Sequence, residues 1–311
     1  MSVELSAVLV TYNSADGIAA TLDQLEASLA HRSAEIIVVD NASADGTVQI
    51  AKRHIRRGHV VQLPTNIGYG PGLNVGLAVA NGSRVLLMND DIRFDSTCVD
   101  RLLGALDASR DIGVVSPRIT YPDGRPAPAA RPHLPGWKDE WARLVDLVTG
   151  RSSRAAYPTS GDPVDVGLLI AACLAGRTQL LRSIGGFNES FFFYGEDLDL
   201  CRRLEELRYR RVLAPEAVAV HHDKMASNRR YRGRAFSGRI LNARDRYYRI
   251  WLSRPSRMLL NAYRAINPAD QPFRLRFHLP RAIYDGPSLT TLRKPPPVEA
   301  IPEPLSIRRE G

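Results

Sequence analysis

Cysteine is scarce in this chain of 311 residues: there are three, Cys98, Cys173 and Cys201, far apart and in no C-x-x-C spacing. Neither a disulfide framework nor a zinc site is indicated, and a reducing compartment is the simpler expectation. Long hydrophobic runs are missing too. The longest, Gly167 to Gly176, is ten residues and rich in small side chains, well short of the roughly 18 needed to cross a bilayer. The N-terminus passes from Met1 through Glu4 straight into an apolar run, without the basic stretch and hydrophobic core of a secretion signal. A cytoplasmic location is therefore expected. No internal repeat is found, and with hydrophobic residues at 44% and charged residues at 24% the composition excludes disordered and collagen-like classes.

The charge is unevenly spread. Residues 201–311 carry 24 Lys/Arg against 10 Asp/Glu, a net of +14, whereas residues 1–200 carry 18 against 23, a net of −5. This describes a mildly acidic body with a basic tail suited to phosphates, of a substrate or of a membrane surface. A solvated arginine-rich surface is the plainer alternative.

Over the first 115 residues, β-branched runs alternate with helical patterns. Leu5 to Thr11 reads as a strand, and Ile18, Leu22, Leu25 and Leu29 repeat at the spacing of one buried helical face. Glu35–Asp40 is a second strand, followed by a loop of helix-capping residues and a helix from Thr47 to His54. Val60–Leu63 reads as a third strand, Gly72–Ala80 as a helix, and Arg84–Met88 as a fourth strand running into Asn89-Asp90-Asp91. Successive βα units predict a mostly parallel sheet with helices on both faces, where ligands bind beyond the carboxyl ends of the strands. Thr11, Asp40 and Asp91 fall at those ends.

Residues 117–163 are rich in Pro, Gly and Arg and read as an irregular insertion or lid, with one helical stretch from Trp137 to Val148. Regular structure resumes with Val164–Ala172, a helix at Thr178–Ser183, the run Phe191-Phe192-Phe193-Tyr194, a helix from Glu196 to Leu207 and a strand from Val212 to His222. A domain over 1–225 and a basic helical extension over 226–311, Pro-rich from Pro295, are expected.

Two adjacent carboxylates, Asp90 and Asp91, at the mouth of a buried strand suit a hard divalent cation that can bridge two phosphates. Asp40, at the end of the second strand, stands where a carboxylate accepts from ribose in dinucleotide-binding folds. The loop Thr11 to Gly17, however, lacks G-x-G-x-x-G, and the Gly68/Gly70/Gly72 cluster follows the third strand with another spacing, which argues against hydride transfer. Glu196-Asp197 opens a helix directly after aromatic residues, where desolvation raises a carboxylate toward the range of a general base. Acidic residues also favour a first helical turn for dipole reasons alone. His221 and His222 end the last strand and are candidate ligands for a divalent ion.

The order of segments resembles glycosyltransferase family 2, the inverting GT-A enzymes, and especially its rhamnosyltransferase-like branch. The likeness spans about residues 5–225. It is carried by VLVTYN ending at Asn13, EIIVVDNASADGT (35–47), NIGYGPGLNVGLAVA (66–80), VLLMNDDIRF (85–94), IGGFNESFFFYGEDLDLCRRL (184–204) and the strand ending in His221-His222. The resemblance implies a Rossmann-like nucleotide-binding half joined to an acceptor-binding half. Thr11, Tyr12 and Asp40 match positions holding the nucleoside, with the tyrosine near the base and Asp40 accepting from its imide N–H. Asn66 and Asn74 match positions near the nucleotide diphosphate. Asn89-Asp90-Asp91 matches the D-x-D-type motif, with Asp91 a metal ligand and Asp90 near the ribose or metal. Asn stands first where some members have Asp, so no ligand role is carried over to Asn89. Asp197 matches the catalytic base, Glu196 a residue orienting the acceptor or the base, and His221 a late metal ligand, with His222 the fallback.

A divalent cation, Mn²⁺ or Mg²⁺, is thus the implied cofactor. The implied reaction moves a sugar from a nucleotide-diphosphate donor, dTDP-rhamnose first, to a hydroxyl of a glycan, lipid-linked or small-molecule acceptor. UDP-galactofuranose, a UDP-hexose or a GDP-sugar is the alternative donor. In another class stands a non-catalytic protein whose tail binds acidic polymers or nucleic acid, a partner the site residues disfavour. The Arg229–Arg232 run and the stretch from Arg244 to Trp251 are read as a peripheral contact with an anionic membrane, with Tyr and Trp at the interface. A homodimer built through the C-terminal helices explains Tyr247, Tyr248 and Trp251 equally well.

Overall fold

A computed structural model of the chain describes residues 3–95, 97–127, 129–136, 158–222 and 234–252, with isolated positions at 141, 145, 149, 254, 255, 258 and 261; side chains are described from 242 onward in the last segment. The expected helix over 137–148, apart from its helical positions 141 and 145, and the Arg229–Arg232 run and Pro-rich end lie outside the described residues.

Four βα-linked strands build the first half. They are β1 (Leu5–Thr11), β2 (Ala34–Asp40), β3 (Gly58–Gln62) and β4 (Arg84–Asn89), with helices α1 (Ile18–Ser28), α2 (Thr47–His54) and α3 (Tyr69–Val79) between them. All four are parallel, in the order β3-β2-β1-β4. Buried on both faces, β1, β2 and β4 are almost continuous apolar runs rather than alternating ones, as parallel strands between two helical layers must be. β3, at the edge, exposes Gly58, His59 and Gln62.

The second half departs from a parallel continuation. The chain proceeds through β5 (Ile92–Phe94), α4 (Cys98–Asp107), β6 (Ile112–Thr120), β7 (Ala130–Arg131), β8 (Val164–Asp165), β9 (Leu168–Leu169), β10 (Cys173–Arg177), α5 (Thr178–Ser183), α6 (Glu196–Glu206), β11 (Arg210–His221) and α7 (Arg234–Trp251). β10 inserts antiparallel between β4 and β6, β11 lies parallel to β6, and β5 closes the far edge antiparallel to β11. The expected insertion over 117–163 is corrected at its start. β6 continues through Pro117 to Thr120, and β7 pairs with β9.

Two apolar layers flank the sheet. One gathers Ile18, Leu22, Leu25 and the α4 face of Val99, Leu102 and Leu106. The other gathers Leu73, Leu77, Phe187, Phe191 and α6 with Tyr247 and Tyr248 of α7. The extension is therefore not a composition-defined appendage over its described length. Tyr247 and Tyr248 are fully buried in their own chain and Arg244 nearly so, which removes the need for a partner subunit to cover them and corrects their expected place at a membrane interface. The cause is packing: each tyrosine ring removed from water contributes about 2 kcal/mol, and the core offers that burial directly. Among the described residues the Tyr247 hydroxyl has no hydrogen-bond partner. Tyr247→Phe is accordingly expected to stabilise the protein by about 1 kcal/mol, because a buried unsatisfied hydroxyl costs about that much. An unchanged or lowered thermal midpoint would show that the hydroxyl has a partner.

Among the described residues no helix is long and apolar enough to cross a membrane.

Candidate functional site

The parallel register fixes the first wall of the site. Thr11 pairs with Asp40 across β1 and β2, and Val10 pairs with Asn89 across β1 and β4, so Thr11, Asp40 and Asn89-Asp90 emerge side by side at the carboxyl edge. Asp40 is completely buried; its Oδ2 accepts from the Ser43 backbone N–H at 2.9 Å, while its Oδ1 is buried with no partner among the described residues. A buried carboxylate oxygen left open is costly unless a ligand donor reaches it. Tyr12 stands next to it, 46% exposed, its ring free for a planar group.

Asp90 is anchored to the β1 loop. Its Oδ2 accepts from Thr11 Oγ1 at 2.6 Å and from Ser14 Oγ. The Thr11 hydroxyl thus holds the acidic loop, a task that its position in sequence did not disclose.

The second wall depends on β11. Its register against β6 slips between Ala214 and Val218, where Pro117 and Pro215 both lack the N–H that a ladder needs. Beyond the irregularity, β11 meets β5 with His221 opposite Ile92. That register sets His221 beside Asp91, with Nε2 3.2 Å from Oδ1, and the His222 backbone N–H donates to the Asp91 carbonyl at 2.9 Å. A carboxylate and an imidazole facing each other, both mostly shielded from solvent, are a donor set that suits Mn²⁺ or Mg²⁺ with phosphate oxygens and water completing the shell. Among the described residues no cluster of three or more His, Cys, Asp or Glu side chains is gathered.

The third wall is the start of α6. Tyr194 and Gly195 both have left-handed backbone, φ 70° and 90°; at Gly195 a Cβ would come within 2.7 Å of the Phe191 ring. This sharp turn delivers Glu196 and Asp197 into the first turn of the helix. Glu196 is buried with Oε2 unpartnered, and its carboxyl is pushed well up, by burial first and by the adjacent Asp197 second. Asp197 is also raised by burial, but less, because backbone N–H groups and the Arg131 guanidinium favour its charged form. The pair thus divides into one carboxyl that tends to stay protonated and one that ionises more readily.

Tyr69 joins the three walls. Its ring is partly buried at the start of α3, its hydroxyl donates to the Ala171 carbonyl at 2.7 Å, and its acidity is suppressed by burial and by the neighbouring charges of Glu196, Asp91 and Asp90 among others. The next residue, Gly70, packs against the Glu196 side chain, which sets the start of α3 against the start of α6. The loop preceding Tyr69 is stitched down twice. Asn41 donates to the Gly68 carbonyl at 2.9 Å and accepts from the Ile67 N–H, and the Tyr69 N–H donates to the Phe192 carbonyl at 2.9 Å. Gly68, at φ 102°, is required there, since a Cβ would collide with that carbonyl.

Chain residues 6–155 match the family model described as glycosyl transferase family 2. The chain is a glycosyltransferase with a family 2 match over residues 6–155. Among curated relatives it is 28% identical over 253 residues to the N-acetylglucosaminyl-diphospho-decaprenol L-rhamnosyltransferase of Mycobacterium tuberculosis, covering 74% of this chain and 79% of that one. In fold it is similar to the mannosyltransferase PcManGT from Pyrobaculum calidifontis, solved with GDP-Man and Mn²⁺, with TM-score 0.55 and 19% identity over 83% of this chain and 68% of that one. It is also similar to GalNAc-T7 solved with UDP, GalNAc and Mn²⁺, with TM-score 0.58 and 14% identity over 82% of this chain and 49% of that one. The mixed, mostly parallel sheet with helices on both faces is GT-A-like.

The glycosyltransferase places its sequence-flagged residues unevenly. Thr11, Tyr12, Asp40, Asp90, Asp91, His221, Glu196 and Asp197 line one edge of the sheet. Asn66 spends its side-chain oxygen locally, accepting from the Gly68 N–H at 3.0 Å. Asn74 is engaged elsewhere. Its amide donates to the Phe187 carbonyl and Glu189 and accepts from the Phe187 N–H at 2.7 Å, so in this structure it pins the loop before α6 and has no donor left for a diphosphate. Asn41, Ser14, Tyr69 and Arg131 were missed. Asn41 and Tyr69 sit inside recognised motifs and Ser14 directly follows one, whereas Arg131 is brought in by pairing of the two-residue strands β7 and β9, too short to announce themselves.

Proposed function

We propose that this glycosyltransferase moves a deoxyhexose, with dTDP-rhamnose as the donor, onto a hydroxyl of a glycan, lipid-linked or small-molecule acceptor by a single inverting displacement. The observation that carries the reading is the Asp91–His221 pair, with Asp40 in register on the same carboxyl edge and the Glu196 side chain packed on the start of α3 at Gly70. The rhamnosyltransferase relative supports the sugar.

Asp40 Oδ1 accepts the imide N–H of the nucleobase, and Tyr12 covers the ring. Asp90, held by Thr11 and Ser14, borders the ribose. Asp91 and His221 would hold a divalent cation, whose chemistry is to neutralise charge on the departing diphosphate. Asp197 takes the proton of the acceptor hydroxyl as its oxygen bonds to the anomeric carbon; the bond from that carbon to the diphosphate breaks, and the nucleotide diphosphate leaves with the electron pair. Because attack comes from the face opposite the leaving group, configuration inverts. Glu196, kept protonated by burial, donates to the acceptor or supports Asp197.

The test is nucleotide-sugar binding and turnover across dTDP-rhamnose, UDP- and GDP-sugars, with Mn²⁺, with Mg²⁺ and with chelator. One donor should bind in a metal-dependent way, and Asp91→Ala should weaken that binding at least about tenfold, since it removes a charged ligand. Equal binding with and without metal, or in Asp91→Ala, would overturn the metal assignment. Binding of a UDP- or GDP-sugar in preference would replace the donor.

A further inference from the structure

The run before the catalytic helix contains aromatic rings that the core does not use. Phe191 is buried, but Phe192 and Phe193 are 52% and 41% exposed. Exposing a ring of that size forgoes burial worth about 2 kcal/mol, and here it happens beside the carboxylates. Phe193 is also held in place. Its centroid lies 6.3 Å from that of Tyr69, nearly perpendicular at 82°, and 4.3 Å from that of Tyr194 at 60°. Tyr194 in turn has a left-handed backbone, and the Phe192 carbonyl is tied to the Tyr69 N–H. An exposed aromatic fixed by two neighbours is already ordered for a ligand, so little side-chain freedom is lost when one binds.

We propose that Phe193 is the stacking platform for the acceptor, and that the acceptor group it recognises is a pyranose ring. This rests on the glycosyl-transfer reading above and names the substrate class of that same site. A pyranose has a face of C–H bonds and a rim of hydroxyls. The electron-rich face of an aromatic ring attracts the former, while Asp197, four residues along and across the Gly195 turn, is the acceptor for a proton of the latter. The neighbouring Tyr69 begins α3, where the next residue, Gly70, packs against the Glu196 side chain, so a sugar on Phe193 borders the start of α6. A polyprenyl chain suits the place less well, because it needs a continuous apolar track, and Phe193 is bracketed by two tyrosine rings, each with a polar hydroxyl. Phe193 acts by positioning: it sets where the hydroxyl stands and does not take part in the bond changes.

The experiment compares wild type, Phe193→Ala, Phe193→Trp and Phe193→Leu with dTDP-rhamnose, and with the UDP- and GDP-sugars, as donor. Methyl and octyl β-glycosides of N-acetylglucosamine, glucose and galactose serve as acceptor probes. Donor binding and acceptor-free donor hydrolysis should stay within twofold in all variants. With the acceptors used by wild type, Phe193→Ala and Phe193→Leu should raise the acceptor KM at least tenfold, equally for methyl and octyl glycosides, while Phe193→Trp stays within threefold. An unchanged acceptor KM in Phe193→Ala overturns the proposal, as does full rescue by Leu, which is apolar but has no ring face. A penalty confined to octyl glycosides would assign the ring to a lipid chain instead, and donor hydrolysis with no pyranoside accepted would exclude the pyranose. If wild type neither binds nor hydrolyses any nucleotide sugar, the glycosyl-transfer reading fails first and this proposal with it.

Discussion

Asp197→Asn is expected to lower kcat by about 10²- to 10⁴-fold, the usual contribution of a general base, while nucleotide-sugar affinity stays near the wild-type value. Glu196→Gln is the informative counterpart. Burial and the adjacent Asp197 charge hold Glu196 in its protonated form, and glutamine imitates a neutral carboxyl, so this variant should keep activity within about tenfold. Two equally damaged variants would mean that the pair works as one unit. Asp197 must be ionised to act, and burial raises its pKa, so activity should fall as pH drops through that raised value and persist above it. The Arg131 charge is one of the influences that lower it. In Arg131→Met the acidic limb of kcat/KM should therefore move to higher pH, with the plateau less affected. An acidic limb that does not move would sever Arg131 from Asp197.

A second large effect is expected from the contacts that hold α6, the helix opened by Glu196 and Asp197. Asp199, two residues past Asp197, is fully buried and receives Arg203 Nε at 2.8 Å, Trp251 Nε1 at 2.8 Å and Asn188 Nδ2 at 3.2 Å. Arg203 also donates to the carbonyls of Ile184 and Gly186. One carboxylate thus ties α6, the loop before it and α7. Asp199→Ala leaves a mostly buried guanidinium without its counter-charge, which costs about 3–5 kcal/mol, a large part of a typical stability of about 5–15 kcal/mol. The thermal midpoint should fall by on the order of 10 °C. Trp251→Phe removes one neutral donor to the same carboxylate and should cost about 1–2 kcal/mol. If Asp199→Ala melts within a degree or two of wild type, the network is not what supports the helix. Activity lost in Trp251→Phe without loss of donor binding would show that α7 serves catalysis through α6, although the composition of residues 201–311 suggested only a basic tail.

The expected and observed elements agree best where local signals are strong. The periodicity of Ile18, Leu22 and Leu25 and the apolar runs ending in Thr11, Asp40 and Asn89 suffice for β1, α1, β2 and β4, because alternating βα units in a right-handed parallel sheet leave few other arrangements. The acidic clusters at strand and helix ends were legible for the same reason: a polar group directly after a buried run stands at the sheet's edge. Other features needed the folded chain. The basic stretch around Arg244 reads as a surface, yet its tyrosines fill the core, since an amphipathic helix does not state which of its environments is protein. Asn74 lies in a recognised motif, but its amide is spent on the loop at Phe187, a partner more than a hundred residues away.

What the sequence determined by itself was the order of βα units, the carboxyl edge where the acidic clusters stand, and the residue types gathered there, all consequences of short-range periodicity and of where apolar runs stop. What the tertiary structure decided was which of them meet. His221 rather than His222 presents its imidazole to Asp91 at 3.2 Å because β11 changes register where two prolines withhold their N–H groups and then pairs with β5. Asp197 differs from Glu196 first because backbone N–H groups at the start of α6 favour its charged form, with the Arg131 that β7 carries adding to them, while the Asp197 charge itself raises Glu196. The first outcome and the Arg131 part of the second depend on pairings between distant segments, and side-chain chemistry at a strand's end carries no information about the partner it will find there.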